Sequence, residues 1–374
     1  MENNLKVLFI LKQREDYNTN ILNFTSYTVA TGMFNSASFV NDMLNENNIE
    51  SSCIFVNDNN DIDKEVSIFK PTHVFVEGFW IVPEKFDELI HLHPNVKWII
   101  RCHSEMPFLA QEGIAIEWIY GYLSRNIGVS GNSIRINREL RLLAKSLNIN
   151  EIEKLIPLLT NYYPVNSEIK YKQKSIDKII NVGCFGAFRP LKNNLIQAVA
   201  AIDYAERNGL TLIFHINSGR EEMNGNNVMK NIRALFACSL KHTLIEHPWA
   251  SHEDFLNILL QMDICLQVSF TETFNIVAAD SVNLGIPTLV SSEINWVHEP
   301  YANPTNSSDI VEKIGFVLSY HKQLNKLNRK RLKKYSKNSN ILWIDFLTNN
   351  NKQCFLLEVL GKFKNLLKKI IGYN

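Results

Sequence analysis

The sequence lacks the features that mark several large classes of protein. Its six cysteines are scattered singly, mostly inside apolar runs, and no two have CxxC spacing. Such cysteines are typical of reduced, buried thiols in a cytosolic protein rather than of a disulfide framework or a zinc site. No uninterrupted apolar run approaches the roughly 18 residues of a transmembrane helix. We therefore expect a cytoplasmic protein that is at most peripheral to a membrane.

The chain also lacks a marked overall charge. Its formal net charge is +1 over 374 residues, which gives no general case for a polyanionic partner. Any affinity for nucleic acid or lipid must come from a local patch. One such patch runs from Lys322 to Lys337 and contains eight cations and no acidic residue. It predicts either a solvated helix face or a weak contact with an anionic surface such as DNA or lipid.

Hydrophobic patterning predicts an α/β protein, and its 374 residues with 45% hydrophobic content are enough for two separate cores. Apolar runs typical of buried parallel strands alternate with helical patterns, which favours right-handed βαβ units. The predicted strands are Lys6–Leu11, Ser52–Val56, His73–Glu77, Val96–Cys102, Asn126–Val129, Lys178–Gly183, Leu212–Ile216, Thr243–Glu246, Ile264–Val268 and Thr288–Ser291. Helices of the first half are predicted at Ser36–Asn45, Pro83–His91, Phe108–Leu123 and Ser133–Leu147.

The same patterning divides the chain into two domains and a tail. The first domain is predicted at residues 1–165 and the second at 178–340, with a polar linker between them. The remaining segment, 341–374, has the pattern of one or two amphipathic helices. Two doubly wound domains leave a cleft between them, and ligands most often bind in such clefts.

One stretch places two acids near the end of a predicted strand. Glu272 lies in Ser269-Phe-Thr-Glu-Thr-Phe, and Asp280 follows eight positions later. With a helix predicted from Thr273 to Asn283, both carboxylates would face one ligand from the same side. Ionised carboxylates only accept hydrogen bonds, which suits a sugar with several hydroxyls. Taken alone, the pair also fits a Glu favoured by the helix dipole and an Asp on a solvated face.

This stretch resembles the donor-sugar signature of retaining GT-B glycosyltransferases of the family-4-like group. The matching features are Ser-x-x-Glu-x-Phe, an acid eight residues after that Glu, and a following Gly-x-Pro. The resemblance implies two Rossmann-like domains facing a central cleft, with a C-terminal helix that crosses back to the first domain. It implies that Glu272 contacts the donor sugar and that Asp280 holds the nucleotide ribose. Phe274 and Asn275 belong to the same nucleotide-sugar motif, with Asn275 where the family commonly has Gly.

The loop after the first strand of the second half resembles the family's basic loop. Gly183 ends that strand, and Arg189 and Lys192 follow it. The resemblance implies that this pair neutralises the nucleotide diphosphate, which gains negative charge as it leaves. The alternative is two solvated cations at a helix start. Ser218 ends the next strand, where the family has a small-residue loop near the nucleotide.

Two positions in the first half also match the family. Gly32, in Ala30-Thr-Gly-Met-Phe-Asn-Ser, resembles the glycine loop that faces the donor phosphates, although a capped turn explains it equally well. His103 ends a predicted strand and resembles the His that contacts the transferred sugar, the alternative being a strand-end His bound to backbone. Glu77 ends the neighbouring strand and is expected to face the acceptor. We expect no metal, because His-x-Glu is short of a metal site.

The matches together imply an enzyme that transfers a sugar from a UDP- or GDP-sugar with retention of configuration and without a cofactor. Its expected catalytic residues are Glu272, His103, Lys192 and Arg189. A glycan, lipid, protein or modified nucleic acid could each be the acceptor, and the basic run favours one that bears phosphate. Two alternatives stay open: a nucleotide-sugar hydrolase or epimerase of GT-B type, and a non-catalytic nucleotide-sugar-binding or scaffold module.

Overall fold

The structure, a computed structural model, describes residues 5–13, 32–149, 152–166, 171 and 176–348. The loop predicted before Gly32 and most of the helical tail predicted after residue 341 lie outside the described residues. The predicted division at 1–165, 178–340 and 341–374 stays a prediction.

The first unit is a five-stranded parallel sheet in the order β2-β1-β3-β4-β5, covered by helices on both faces. Its strands are β1 (Lys6–Lys12), β2 (Glu50–Val56), β3 (His73–Glu77), β4 (Lys97–Cys102) and β5 (Gly128–Gly131). Its helices are α1 (Gly32–Glu46), α2 (Asp61–Phe69), α3 (Lys85–Leu92), α4 (Met106–Leu109), α5 (Ala115–Ser124), α6 (Ile134–Ser146) and α7 (Ile152–Leu155). Burial on both faces explains why the central strands are continuous apolar runs.

The second unit is another five-stranded parallel sheet, in the order β10-β9-β6-β7-β8. Its strands are β6 (Ile179–Gly183), β7 (Thr211–Asn217), β8 (Thr243–His247), β9 (Ile264–Gln267) and β10 (Thr288–Val290). Its helices are α8 (Asn194–Arg207), α9 (Gly225–Ala237), α10 (His252–Leu259), α11 (Ile276–Leu284) and α12 (Ser307–Ser319). The strand order reverses between β6 and β9, and ligands bind at such switch points in open parallel sheets.

A long last helix, α13 (His321–Thr348), joins the two units. Near its start it contacts α11 of the second unit, and near its end Trp343 packs against Phe9 and Phe75 of the first sheet. The predicted return of a C-terminal helix to the first unit is therefore confirmed. The helix also continues through residue 340, where the sequence predicted a boundary. In the part of the chain that is described, no helix has both the length and the apolar character needed to cross a membrane.

All ten predicted strands are present, with ends that differ by a few residues at most. Two helix predictions were wrong. The segment predicted as one helix, Phe108–Leu123, forms the two helices α4 and α5, with Gly113 between them, and glycine is a poor helix former. The helix predicted from Thr273 begins only at Ile276.

Candidate functional site

A cavity of about 800 Å³ lies where the carboxyl ends of the two sheets face each other. The first unit contributes the segments that follow β1, β3 and β4, and Gly32 at the start of α1 also lines the cavity. The second unit contributes the segments that follow β6, β7, β8 and β9. The cavity therefore adjoins the switch point of the second sheet, where topology favours ligand binding.

Lys192 and Glu272 meet at that switch point. Lys192 ends a short 3-10 helix after β6, Glu272 follows β9, and these two strands are neighbours in the sheet. The Glu272 carboxylate accepts hydrogen bonds at Oε1 from the Lys192 ammonium, from Ser269 Oγ at 2.9 Å and from Asn275 Nδ2 at 3.1 Å. Glu272 is 8% exposed, so this ion pair is largely shielded from water.

Burial and neighbouring charges shift the pKa values of both members of this pair. Burial works against the charge on Glu272, but Lys192 and Arg189 outweigh it and lower the pKa of the carboxyl below its usual value. Burial lowers the pKa of Lys192, and the charge of Glu272 opposes that change. The pair therefore places a nitrogen donor and oxygen acceptors side by side on the cavity wall.

Asn275 explains why Glu272 does not lie on the predicted helix. The backbone of Asn275 has φ 65 and ψ 94, outside the right-handed helical region, and its side chain caps α11 by accepting a bond from the Ala278 amide at 2.8 Å. Positive φ favours Gly and tolerates Asn, which accounts for Asn where the family commonly has Gly. Glu272 therefore lies in a loop. It reaches the same cavity as Asp280 through that loop and not through a shared helical face.

Arg189 lies on the same wall as Lys192. It donates to Glu222 Oε2 at 3.3 Å, and its guanidinium lies 4.4 Å from the ring centre of Phe108 in the first unit. Arg220, which the sequence analysis did not single out, donates to the other oxygen of Glu222 at 2.8 Å and lies over Trp249. Three cations therefore converge on one side of the cavity.

His103 faces this wall from the first unit and is held by a buried charge cluster. Its Nε2 lies 2.5 Å from Glu77 Oε2, and Arg101 donates to Glu77 Oε1 at 2.8 Å. Burial works against the charge on Glu77, but Arg101 and His103 outweigh it, and the pKa of this carboxyl is lowered. The His103 ring is thus fixed by a carboxylate and not by backbone. Both oxygens of Glu77 are occupied, and the residue lines the cavity. That it faces an acceptor stays a prediction.

Hydrogen bonds cross between the two units beside Glu272. Thr273 Oγ1 donates to the His103 carbonyl at 3.2 Å and accepts from Asn132 Nδ2 at 3.1 Å. Arg135, at the start of α6, donates to the Glu272 carbonyl at 3.3 Å. We call these contacts of Asn132 and Arg135 with residues 272 and 273 the inter-unit latch. They fix the loop of Glu272 relative to His103.

Asp280 lines the cavity from α11 and is held by two residues that the sequence analysis missed. Its Oδ1 accepts from the Tyr163 hydroxyl at 2.7 Å and from His252 Nε2 at 2.9 Å. Burial tends to lower the pKa of His252, but Asp280 outweighs it and the pKa is raised. The other oxygen, Oδ2, is buried and has no hydrogen-bond partner in the described part of the chain.

Three predicted site residues lie away from the cavity wall. Gly183 is enclosed in β6, where an added Cβ would approach the Phe185 ring to 2.4 Å. Phe274 is fully buried in an apolar cluster. Ser218 bonds to the carbonyl of His247, while its neighbour Asn217 lines the cavity. No group of three or more His, Cys, Asp or Glu residues among the described residues could hold a metal ion.

Compared by sequence, the chain matches no protein-family model and no curated protein. By structure it is similar to sucrose-phosphate synthase from Thermosynechococcus elongatus, with a TM-score of 0.60, 12% identity, and 95% of this chain and 100% of that chain covered. It is also similar to a UDP-forming trehalose-phosphate synthase from Burkholderia xenovorans, with a TM-score of 0.61, 9% identity, and 84% of each chain covered. A third similar structure is Anabaena HepE in complex with UDP and glucose, with a TM-score of 0.58, 11% identity, and 96% of this chain and 100% of that chain covered. These similarities confirm the predicted GT-B fold.

Proposed function

We propose that the protein is a glycosyltransferase that moves a sugar from a UDP- or GDP-sugar to an acceptor with retention of anomeric configuration. The observation that carries the proposal is the Lys192–Glu272 pair at the switch point of the second sheet. The adjoining cavity, about 800 Å³, is within the usual size range of small-molecule sites. The UDP present in the similar HepE structure supports the donor class.

Donor binding follows from the charges on the cavity wall. Lys192, Arg189 and Arg220 would hold the diphosphate, and the amino-terminal end of α1 at Gly32 would add its dipole. Arg189 supports this role, since its buried Nε has no hydrogen-bond partner among the described residues. The ribose hydroxyls would donate to Asp280, whose Oδ2 is likewise buried without a described partner.

Catalysis would use charge and orientation. As the bond between the anomeric carbon and the diphosphate oxygen breaks, the sugar becomes oxocarbenium-like and the leaving group gains charge. Lys192 and Arg189 would stabilise that charge, and Glu272 and His103 would hold the sugar. The acceptor oxygen would bond to the anomeric carbon on the same face, with its proton going to the leaving diphosphate. Closure of the cleft would exclude water, which would otherwise hydrolyse the donor.

Three further features belong to the proposal. The reaction needs no metal, because fixed cations neutralise the diphosphate. The protein acts in the cytoplasm, at most at a membrane surface. The acceptor is a glycan, a lipid, a protein or a modified nucleic acid.

A thermal-shift screen of UDP- and GDP-sugars tests the donor site. A ligand at a hundred times its dissociation constant stabilises a protein by about 2.7 kcal/mol, so one donor should stand out. Lys192→Met should lose most of that shift, whereas Lys230→Met, which changes an exposed lysine on α9, should keep it. No shift with any nucleotide sugar would contradict the proposal.

Turnover of the selected donor tests the reaction itself. The purified protein is incubated with that donor and a panel of acceptors, and NMR identifies the anomeric configuration of the product. A glycoside with the donor's configuration is expected. Free sugar as the sole product with every acceptor would identify the hydrolase alternative, and a donor that binds but stays intact would identify the binding module.

A further inference from the structure

The basic run of the sequence forms a single stripe on α13. Six of its cations are exposed lysines, which we call the lysine stripe: Lys322, Lys326, Lys330, Lys333, Lys334 and Lys337. At 3.6 residues per turn their positions fall within an arc of about 120° on the helix. At 1.5 Å per residue they extend over about 22 Å. The stripe is therefore a straight, one-sided row of positive charge.

The buried face that adjoins the stripe is anchored, which fixes the direction of the stripe. Arg329 donates to the carbonyls of Asn283 and Asn166, and Ser336 donates to the Tyr163 carbonyl at 2.8 Å. The helix carries no acidic residue before Asp345, so none of its own carboxylates neutralises the stripe. This charge stands out because the whole chain has a net charge of only +1.

The lysine stripe is separate from the candidate active site. None of its six residues lines the large cavity. Two of them, Lys333 and Lys337, instead line a second concavity of about 460 Å³ between α13 and the segment at Tyr162, Tyr163 and Val165. A function of the stripe must therefore be separate from holding the donor diphosphate in the cleft.

Side chains near the stripe indicate which polyanion it fits. A helix that inserts into the surface of a bilayer needs a broad apolar face beside its cations, and among the described residues of α13 Leu327 is the exposed large hydrophobic residue, at 40%. Sites for single-stranded nucleic acid add aromatic surfaces for base stacking. On α13 the ring of Tyr335 stacks on Phe274, and that of Trp343 meets Phe75 edge-on inside the protein. Just before the helix, the exposed rings of Phe316 and Tyr320 pack on each other, with their centres 4.7 Å apart. The phosphate backbone of a duplex requires only cations, and about 22 Å corresponds to roughly six base pairs.

We infer that the lysine stripe binds the phosphate backbone of double-stranded nucleic acid without sequence preference. The inference does not depend on the proposed reaction, because the residues of the stripe lie outside the cleft. If the acceptor is a modified nucleic acid, this contact would hold it on the protein. With any other acceptor it would be a separate localisation contact.

Fluorescence anisotropy of the full chain with a labelled duplex of mixed sequence tests the inference. Six neutralised phosphates predict a slope of about −5 for the logarithm of the binding constant against the logarithm of salt concentration. Replacing four stripe lysines should bring the slope to about −2 and weaken binding at least tenfold at 50 mM salt. These replacements are Lys326→Gln, Lys330→Gln, Lys333→Gln and Lys337→Gln. The matched control replaces four exposed lysines elsewhere by Gln: Lys64, Lys145, Lys178 and Lys230.

Four outcomes of this experiment would overturn the inference. Unchanged binding by the stripe variant, or equal loss in the control, would remove the stripe from the interaction. Preference for single strands over the duplex would indicate a stacking site, and preference for phosphatidylserine vesicles would indicate a membrane surface. Both variants should keep the wild-type melting temperature and circular dichroism spectrum, because such surface changes are usually within about 0.5 kcal/mol.

Discussion

The carboxyl ends of the two sheets each carry a carboxylate between cations, and the two clusters differ in how fully they are enclosed. Glu77 of the first unit is 1% exposed, and Arg101 and His103 occupy its two oxygens separately. Glu272 of the second unit is 8% exposed, and its hydrogen-bond donors, Lys192 among them, converge on the single oxygen Oε1. Both oxygens of the first carboxylate are bonded to protein side chains. The side-chain donors of the second all bond to one of its two oxygens.

This difference separates two uses of the same chemical groups. A saturated, buried ion pair positions its neighbours, and removal of one partner leaves an uncompensated charge. A carboxylate bonded at one oxygen can accept hydrogen bonds from a ligand at the other. We therefore expect changes at Arg101 to affect mainly folding stability, and changes at Lys192 or Glu272 to affect mainly the proposed activity.

The largest effect is expected from Arg101→Met. The substitution removes a fully buried guanidinium and leaves Glu77 without its main partner, which should cost about 3–5 kcal/mol of unfolding free energy. Urea denaturation measures this loss. Adding Glu77→Leu should recover much of it, since the pair is then replaced by apolar groups. Lys192→Met should lower the unfolding free energy by less than Arg101→Met does. Equal destabilisation by these two single variants would contradict the comparison.

Glu272→Gln should affect activity instead. Gln keeps the shape of the side chain and loses the charge, so we expect kcat to fall by about 10²–10³ if the carboxylate stabilises the transition state. The melting temperature should change far less than in Arg101→Met. Steady-state kinetics with the donor identified by thermal shift measures the effect, and Glu312→Gln on the surface of α12 is the control. Full activity of Glu272→Gln would remove Glu272 from the proposed catalytic set.

Arg135→Met should give a smaller and more selective loss. It breaks the bond to the Glu272 carbonyl and the ion pairs with Glu293 at 2.7 Å and with the buried Glu105 at 3.1 Å, and so loosens the inter-unit latch. We expect kcat to fall about tenfold, which is about 1.4 kcal/mol, while affinity for the free nucleoside diphosphate is unchanged. Calorimetry and kinetics separate the two quantities. Arg138→Met on the same helix is the control, and an equal loss of nucleotide affinity in Arg135→Met would argue against a positioning role.

The fold could be predicted because its physical cause is local in the sequence. A strand buried on both faces of a parallel sheet is mostly apolar, so the central strands leave nearly continuous apolar runs such as Ile264 to Val268. The positions of Lys192 and Glu272 followed from the ends of such runs. Polar residues at strand ends were less certain, because a shift of one residue changes the direction of a side chain, as it does between Ser218 and Asn217.

Partners that are distant in the sequence could not be predicted. Nothing near Asp280 indicates that Tyr163 and His252 bind it, because these residues meet only after the two units have folded together. The backbone of Asn275 is a similar case. Its positive φ delays the start of the predicted helix to Ile276, and an Asn in a sequence does not by itself require positive φ.

His252→Gln should give the smallest effect, and it tests the bonded side of Asp280, whose hydrogen bonds end on Oδ1 as those of Glu272 end on Oε1. The pKa of His252 is raised in the folded protein, so its stabilisation is complete below its unfolded value of about 6.5 and is lost as pH rises through the folded value. The variant should therefore lose about 1 kcal/mol or less at pH 5.5 and almost nothing at pH 9. Melting temperatures at both pH values measure this, with the exposed His91→Gln as a control that should show no such difference. A larger loss at pH 9 would mean that the neutral imidazole is the stabilising form.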